Sequence, residues 1–594
     1  MRWTEMPRDS ANHETWRLSD WAAGFFLFWA TAGVVFWQNS RLAVLWDLSY
    51  VLENSWRISA GDFPYRDFPF PYAPLTFLTQ SLLIRLTGRV FFHHVVYCAI
   101  LAGLGTILTW RILTHLLHGA VSSSRLVAFL LALPLAVVGI YGVFPHAFYD
   151  PDCTFVILLC IFLLLQIERK DFSPVRAFGT GMLFVVPLFV KQNTGAAFLA
   201  SAGLAVVCLT VQRAWRKQSS ANYLFLIAGI AAGLLSAFIA VHFTVGVHNY
   251  ERWTVQFAAA RRLPSLSVMF APYWNFLLPI WIVSFAGGVF LLGRTPKKRK
   301  WPLRALSISL LSLPFAWPLF YLFIDPDPSD RAEILLALWP FLMIVSLAIA
   351  AWNPGRNTCV SRNLPFILIA TVQGAFLSQQ LWGSTYAIWP LLILLLAGII
   401  VALSRRLKDG SPGGVTFFAG VASLSILVCG GFYVASHERL NYADVSNGEL
   451  NRSTLPALAG LSMRGPWLSQ FEELVRYSDR EIPRDQGLLI IPGEDLFYYT
   501  TGRRPRFPVL MFDRTVNPYS PEAIVDLARK RNICWLVIKK RLQLDGQPVE
   551  DKARLLNLLS ADFTAERSLA NYDIYQRKPD RACPVSPSPL HPDH

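Results

Sequence analysis

The charged residues best suited to chemistry stand in short polar segments that interrupt long apolar runs. A carboxylate, Asp47, follows the first run, two carboxylates, Asp150 and Asp152, flank a proline, and Lys191 separates two further runs. A carboxylate can take a proton from a reacting group. A cation can stabilise a developing anion such as a phosphate. The pattern therefore predicts an acid–base site assembled from several segments.

Asp47 is the leading candidate for a general base. It lies just beyond the first apolar run, where the chain would leave a membrane. The alternative is a solvated carboxylate without a catalytic part, because loop carboxylates are common.

Asp150 and Asp152 lie two residues apart around Pro151. Such carboxylates could hold a divalent cation or orient a second substrate. They could equally cap a helix and shape the turn before it. Both interpretations stay open, and the first makes Asp150 and Asp152 a metal site.

Basic residues near these acids are candidates for binding an anion. Lys191 lies between two apolar runs, so it either meets an anionic partner or extends to the membrane surface. Arg66 either pairs with its neighbour Asp67 or binds a phosphate. Arg261 and Arg262 are weaker candidates of the same kind.

Several other chemistries find no support in the sequence. It contains no P-loop, no G-x-S-x-G elbow and no H-E-x-x-H motif. Its 8 cysteines are scattered without metal-ligand spacing or a disulfide framework. Nucleotide-driven transport and zinc proteolysis are therefore not indicated.

The composition indicates a membrane protein. Of 594 residues, 54% are hydrophobic and 16% are charged, with a mean hydropathy of +0.39, whereas soluble cores stop growing near roughly 250–300 residues. Runs close to bilayer length predict about 13 transmembrane helices. These predicted spans are 21–39, 90–110, 126–144, 153–167, 177–190, 194–211, 221–243, 273–292, 303–323, 334–351, 364–378, 387–403 and 415–435.

The distribution of Lys and Arg predicts the orientation of the chain. With the N-terminus in the cytoplasm, every inner loop is basic, as cytoplasmic loops usually are. This sorting explains the net charge of +15 without nucleic acid. An odd number of spans then puts the C-terminal part outside, and a bacterial inner (plasma) membrane is the natural setting for this multi-pass protein.

Hydropathy also predicts the domain organisation. A transmembrane part covers 1–435, with a first outer loop at 41–89, and a small extracytoplasmic α/β domain covers 436–582. In that domain GLLIIPG (487–493) and CWLVIKK (534–540) predict strands. Segments 467–479 and 520–532 predict helices, the latter capped by Ser520. The Pro-rich end, 583–594, is predicted to be disordered.

The first outer loop predicts two helices at the membrane surface. Leu48, Val51, Leu52 and Trp56 form an apolar stripe, and the polar side chains beside it, such as Glu53, are expected to face water. Prolines then interrupt the chain before a second helix. That helix is predicted at 75–88.

Six features follow one another along the chain: Asp47 in WDLSY, GDFPYRDF (61–68), the helix led by Pro74, YDPD (149–152), KQNTG (191–195) and IIPGEDLFYYTTGRRP (490–505). Their order resembles the GT-C fold glycosyltransferases that use lipid-linked sugars. The closest likeness is the family-39-like group, related to protein O-mannosyltransferases and the lipid A aminoarabinose transferase. One departure is Leu48 after Asp47, where many relatives have an Asp-Glu pair.

The resemblance implies a membrane glycosyltransferase that moves a monosaccharide from a polyprenyl-phosphate carrier to an acceptor on the extracytoplasmic face. Asp47 would be the base of an inverting displacement, with a divalent cation optional and no nucleotide required. The acceptor is left open among lipid, glycan and protein. Substrate and phosphate binding would fall to Arg66, Asp67, Asp150, Asp152, Lys191 and Arg261.

Two alternatives share the same setting. One is a transporter or flippase for lipid-linked saccharides, and the other is an O-antigen ligase or polymerase-like protein. The acids gather in outer loops, and the predicted spans are almost free of them. This distribution favours a reaction at the membrane surface over a path through the membrane.

Overall fold

A computed structural model describes the chain with internal gaps. The described residues are 17–169, 171–294, 301–324, 334–352, 359–377, 387–407, 412–436, 440, 443, 448–543 and 552–579. The predicted disordered tail (583–594) lies outside them, as do most of the predicted outer loops 324–331 and 379–387.

The described residues before 436 are mainly helical. Helix α2 and helix α3 form in the first outer loop, and short helices α11 to α13 form in the loop before α14. The bounds are α1 Leu18–Asn39, α2 Leu45–Ser59, α3 Leu75–Thr87, α4 Phe91–Leu117, α5 Ser124–Ala132, α6 Leu135–Val138, α7 Tyr149–Gln166, α8 Pro174–Val190, α9 Gln192–Trp215, α10 Ala221–Thr244, α11 Val247–Glu251, α12 Ala258–Arg262, α13 Leu266–Phe270, α14 Leu277–Arg294, α15 Trp301–Ile324, α16 Leu338–Trp352, α17 Val360–Phe376, α18 Trp389–Leu407 and α19 Pro412–Ala435.

The described residues include 9 helices that are long and apolar enough to cross a membrane. Shorter helices, among them α5, α8, α17 and α18, occupy the other predicted span positions. The chain is thus a multi-pass α-helical membrane protein, as its composition predicted. The count of about 13 spans stays a prediction.

The break between α8 and α9 sets the position of Lys191. Pro187 lies in the last turn of α8, and the Lys191 backbone is extended, with φ of −146° and ψ of 116°. A Cβ at Gly195 would overlap the Pro187 carbonyl. Glycine therefore lets the first turn of α9 pack directly against the end of α8, a close approach typical of membrane helices.

The C-terminal part is a small α/β unit. Its main sheet has the strand order β3-β4-β6-β5; β3 and β4 are parallel, and the other pairs are antiparallel. A two-stranded ribbon, β1–β2, precedes it. The bounds are β1 Leu450–Arg452, β2 Ser462–Arg464, α20 Trp467–Glu481, β3 Gly487–Ile491, α21 Phe497–Thr501, α22 Pro521–Lys530, β4 Ile533–Lys539, α23 Lys552–Ser560, β5 Phe563–Ser568 and β6 Tyr572–Arg577.

Local signals account for these elements. Ser520 Oγ accepts a hydrogen bond from the Ala523 N–H, and Pro521 begins α22. Strands β3 and β4 are buried along almost their whole length, as their apolar sequences predicted. Leu489 and Ile524 belong to a core on one face of the sheet, and Leu488 belongs to a second core that α2 completes.

Helix α2 corrects one expectation from the sequence. Its apolar residues Leu48 and Leu52 pack against the C-terminal unit, and its polar residues are buried too. Glu53 is only 2% exposed and Arg57 only 4%. The polar side of α2 therefore faces protein rather than water.

Cys534 is paired, although the scattered cysteines of the sequence indicated no disulfide framework. It lies on β4 and is disulfide-bonded, whereas the cysteines of the described transmembrane helices are free. Disulfides persist mainly in oxidising compartments. This bond is in keeping with an extracytoplasmic C-terminal unit.

Candidate active site

Asp47 lies in the first turn of α2. The start of this helix is held by hydrogen bonds to two distant segments of the chain. The Val44 N–H donates to His146 Nε2 at 3.3 Å, and the Leu45 N–H donates to Gln543 Oε1 at 2.7 Å. The Asp47 side chain is partly exposed and interacts electrostatically with Tyr149. Asp47 therefore lies near the first turn of α7, which carries the other predicted acids.

Asp150 and Lys191 form a buried ion pair. Lys191 Nζ donates to Asp150 Oδ1, and their exposures are only 3% for Asp150 and 4% for Lys191. Lys191 Nζ also lies 5.7 Å from the centre of the Tyr149 ring. Asp150 Oδ2 has no hydrogen-bond partner in the described part of the chain. Because Lys191 is buried and paired, it does not extend to the membrane surface.

Asp152 belongs to a separate polar cluster. Its carboxylate accepts hydrogen bonds from three hydroxyls: Thr76 at 2.7 Å, Tyr97 at 2.9 Å and Tyr141 at 2.6 Å. Residues two apart on an α-helix point about 200° apart. Asp152 therefore joins α7 to α3 and α4 rather than facing Lys191.

The two aspartates do not fit a shared divalent cation. Asp150 is already neutralised by Lys191, and Asp152 is turned toward hydroxyl donors. Within the described ranges, no group of three or more His, Cys, Asp or Glu side chains could hold a metal ion. A cation would need several oxygen ligands on one side, which this arrangement does not offer.

Arg262 enters the same neighbourhood from α12. Its guanidinium carbon lies 3.9 Å from the centre of the Tyr72 ring, which lies 5.5 Å from the Tyr149 ring. Burial raises the pKa of Tyr72 above its ordinary value, although the Arg262 charge opposes the shift. Arg262 also interacts electrostatically with Asp150. Two cations, Lys191 and Arg262, thus lie around Tyr149.

Arg261 has a different environment from its neighbour. Its Nη1 donates to the carbonyl oxygens of Arg514 at 3.1 Å and Asn517 at 3.2 Å. It holds the loop before α14 against the C-terminal unit. Of the two arginines that the sequence singled out, Arg262 is the one that faces the acidic site.

Arg66 and Asp67 pair with each other. Arg66 Nε lies 2.9 Å from Asp67 Oδ1, and the Arg66 side chain is 49% exposed. Asp67 Oδ2 also accepts the Phe63 N–H at 2.8 Å. The pair shapes the turn before α3, and such exposed pairs contribute little free energy.

The C-terminal unit is joined to α2 by hydrogen bonds to the polar side of that helix. Ser49, Glu53, Trp56 and Arg57 face the segment 493–508, and Glu53 accepts two backbone N–H groups. The contacts are Ser49 Oγ to the Gly493 and Asp495 carbonyls at 3.0 Å each, the Tyr498 N–H to Glu53 Oε1 at 2.8 Å, the Tyr499 N–H to Glu53 Oε2 at 3.2 Å, Trp56 Nε1 to the Arg503 carbonyl at 3.1 Å and Arg57 Nη1 to the Pro508 carbonyl at 2.9 Å.

A buried ionic cluster supports this contact between the C-terminal unit and α2. Lys539 at the end of β4 pairs with Glu494 and, at 2.8 Å, with Asp495. Burial alone lowers the pKa of Lys539, but the two carboxylates outweigh it and raise that pKa. Gln543 Nε2 donates to the Ala43 carbonyl at 2.9 Å, which links the cluster to the turn before Asp47.

Sequence reasoning missed several of these residues. Glu53 carried a weak signal, because it stands four residues after Ser49 on one side of α2. Tyr72 carried none, since its neighbours Arg262 and Tyr149 come from distant segments. The chain before Arg262 forms a π-helix at Arg252–Phe257, a feature frequent at functional sites.

The fold and this site define a multi-pass membrane protein whose C-terminal unit closes over a buried cluster of acids and cations. No protein-family profile matches the chain, and no curated protein matches it.

The structure is similar along most of its length to two structures of ArnT from Cupriavidus metallidurans. The one bound to undecaprenyl phosphate has a TM-score of 0.45 at 12% identity and covers 96% of this chain and 100% of that one. The apo structure has a TM-score of 0.46 at 15% identity and covers 95% and 99%. The Archaeoglobus fulgidus oligosaccharyltransferase, in complex with Zn and sulfate, has a TM-score of 0.34 at 11% identity and covers 92% and 73%.

At such low TM-scores and identities, the assignment of function rests on the geometry of the site itself.

Proposed function

We propose that this protein is a membrane glycosyltransferase that transfers a monosaccharide from a polyprenyl-phosphate carrier to an acceptor at the extracytoplasmic face. The observation that carries the proposal is the convergence of Asp150, Lys191 and Arg262 around Tyr149, with Asp47 in electrostatic reach of the same ring. Acids and cations in one place suit a displacement that needs a base and a charged leaving group.

Each charged group has a role in this reaction. Asp47, partly exposed, takes the proton from the acceptor as the acceptor oxygen attacks the anomeric carbon. The bond from that carbon to the carrier phosphate breaks, and the configuration inverts. Lys191 and Arg262 stabilise the departing phosphate. Asp150 holds Lys191 in place through their ion pair.

The test is transfer by the purified protein in lipid nanodiscs, given undecaprenyl-phosphate sugars with a radiolabelled sugar. Asp47→Asn should lower transfer by about 10²–10⁴-fold, the usual contribution of a general base, with unchanged expression and unfolding temperature. Asp526→Asn, at an exposed residue of α22, serves as the control. Near-normal transfer by Asp47→Asn would exclude Asp47 as the base.

The same preparation separates the alternatives. A flippase would move the labelled lipid between leaflets of a vesicle without changing its covalent structure.

A chelator should leave transfer unchanged, because the aspartates do not form a shared cation site. Loss of transfer that added Mg²⁺ or Mn²⁺ restores would instead establish a cation.

A further inference from the structure

Asp513 is a buried carboxylate of the C-terminal unit with an unused oxygen. It is 5% exposed, and its Oδ1 accepts the Thr515 N–H at 2.6 Å. Its Oδ2 has no hydrogen-bond partner among the residues that the structure describes. Leaving a buried acceptor unsatisfied costs free energy, so such a group calls for an explanation. A ligand that donates a hydrogen bond to Oδ2 would remove that cost.

The sheet places Asp513 on the side of the unit that meets the membrane helices. The Phe512 N–H donates to the Pro492 carbonyl at 2.9 Å, directly after β3 ends at Ile491. Open α/β sheets bind ligands beyond the carboxyl ends of their parallel strands. Residue 513 therefore lies at the end of the sheet where a ligand is expected.

Asp513 lies within electrostatic range of two groups of the candidate active site. Its carboxylate interacts with the Arg262 guanidinium and with Tyr72, both part of the candidate active site. Arg261, beside Arg262, binds the carbonyls of Arg514 and Asn517. These hydrogen bonds join the loop before α14 to the turn at 513–517. They fix the position of Asp513 relative to Arg262.

We propose that Asp513 binds the sugar of the donor, with Oδ2 accepting a hydrogen bond from a sugar hydroxyl. This inference rests on the proposed function. A carboxylate repels a phosphate, whereas Arg262 attracts one. In a polyprenyl-phosphate sugar the sugar is bonded directly to the phosphate. The part of the donor that can lie against Asp513 while the phosphate meets Arg262 is therefore the sugar, and the C-terminal unit takes part in choosing it.

The experiment compares two lipids on the full chain in nanodiscs: undecaprenyl phosphate and undecaprenyl-phosphate hexose. Asp513→Asn keeps the shape and the Thr515 contact but removes the charge. We expect it to bind the bare phosphate lipid within about twofold of wild type and the sugar lipid about 10- to 100-fold more weakly. In transfer assays KM for the donor should rise more than kcat falls. Asp526→Asn should change neither affinity.

Two results would overturn the role of Asp513. One is wild-type affinity of Asp513→Asn for the sugar lipid, and the other is an equal loss of affinity for both lipids, which would indicate a general structural effect. Asp513→Ser, with a matched unfolding temperature, repeats the comparison if the first variant folds poorly. Failure of the proposed function is a different outcome, in which wild-type protein transfers no sugar from the labelled donor in nanodiscs, whether or not it binds the lipids.

Discussion

At the scale of single residues, the Asp150–Lys191 pair is the most consequential feature. Two charges taken out of water together require close pairing, because each alone pays a large desolvation cost. Asp150 and Lys191 are 41 residues apart in sequence, and each is almost fully buried. The pair is therefore needed for the fold as well as for the proposed chemistry, and an experiment must separate the two.

Removing one partner should destabilise the protein, and removing both should not. Lys191→Met leaves the Asp150 charge buried and unpaired, at a cost of roughly 3–5 kcal/mol. The double variant Asp150→Asn with Lys191→Met should recover most of the unfolding temperature in detergent while transfer stays lost. Recovery of both stability and transfer in the double variant would show that the pair has only a structural role.

At the scale of helices and strands, local sequence predicted much of the fold. The strands β3 and β4, the capped helix α22 and the helices of the first outer loop follow from hydrophobic period and capping residues. The environment of α2 could not be predicted, because an amphipathic pattern shows which side is polar but not what covers it. The composition of the site could not be predicted either, since Arg262, Tyr72 and Asp513 come from distant segments.

The close packing of α9 against the end of α8 should require glycine at position 195. Gly195→Ala would force the Cβ into the Pro187 carbonyl, so we expect a lower unfolding temperature and a displaced Lys191 with reduced transfer. Gly203→Ala on the same helix is the matched control, because no atom lies within 4 Å of a Cβ there. Equal stability of the two variants would contradict the close approach.

The stability contributed by the contact between the C-terminal unit and α2 should depend on pH through Glu53. Burial raises the pKa of Glu53 well above 4.5, although the N–H groups of Tyr499 and Tyr498 oppose this. The folded protein therefore holds this proton more tightly than the unfolded chain. The resulting stability is complete below about pH 4.5 and is lost as pH rises through the folded pKa.

Unfolding temperatures between about pH 5 and pH 8 test this linkage. Glu53→Gln cannot titrate, so its unfolding temperature should fall less over this range than that of wild type. Glu481→Gln, at an exposed end of α20, should keep the wild-type slope. A wild-type slope in Glu53→Gln would mean that another group sets the dependence.

At the scale of the whole molecule, the first outer loop and the C-terminal unit lie on one side of the helices. Contacts such as Arg57 with the Pro508 carbonyl join them directly. The basic inner loops of the sequence predict that this side lies outside the cytoplasm. The disulfide at Cys534 is consistent with this, because such bonds are rare where thiols are kept reduced.

Labelling of single introduced cysteines in intact cells checks the orientation. In a Cys208→Ser background, which removes an exposed native thiol, Asp526→Cys should react with a membrane-impermeant maleimide added outside. Arg216→Cys, at the end of α9, should react only after permeabilisation. The reverse pattern would place the candidate active site in the cytoplasm and contradict the proposed reaction at the extracytoplasmic face.

The hydrogen bonds between α2 and the segment 493–508 have a consequence for the construction of hybrid proteins from this chain. The C-terminal unit is not an interchangeable attachment, because its segment 493–508 covers the polar side of α2 in the first loop. A chimaera that grafts this unit from a distant relative should fail unless the loop is transplanted with it. The two pieces are therefore expected to be inherited, and to diverge, together.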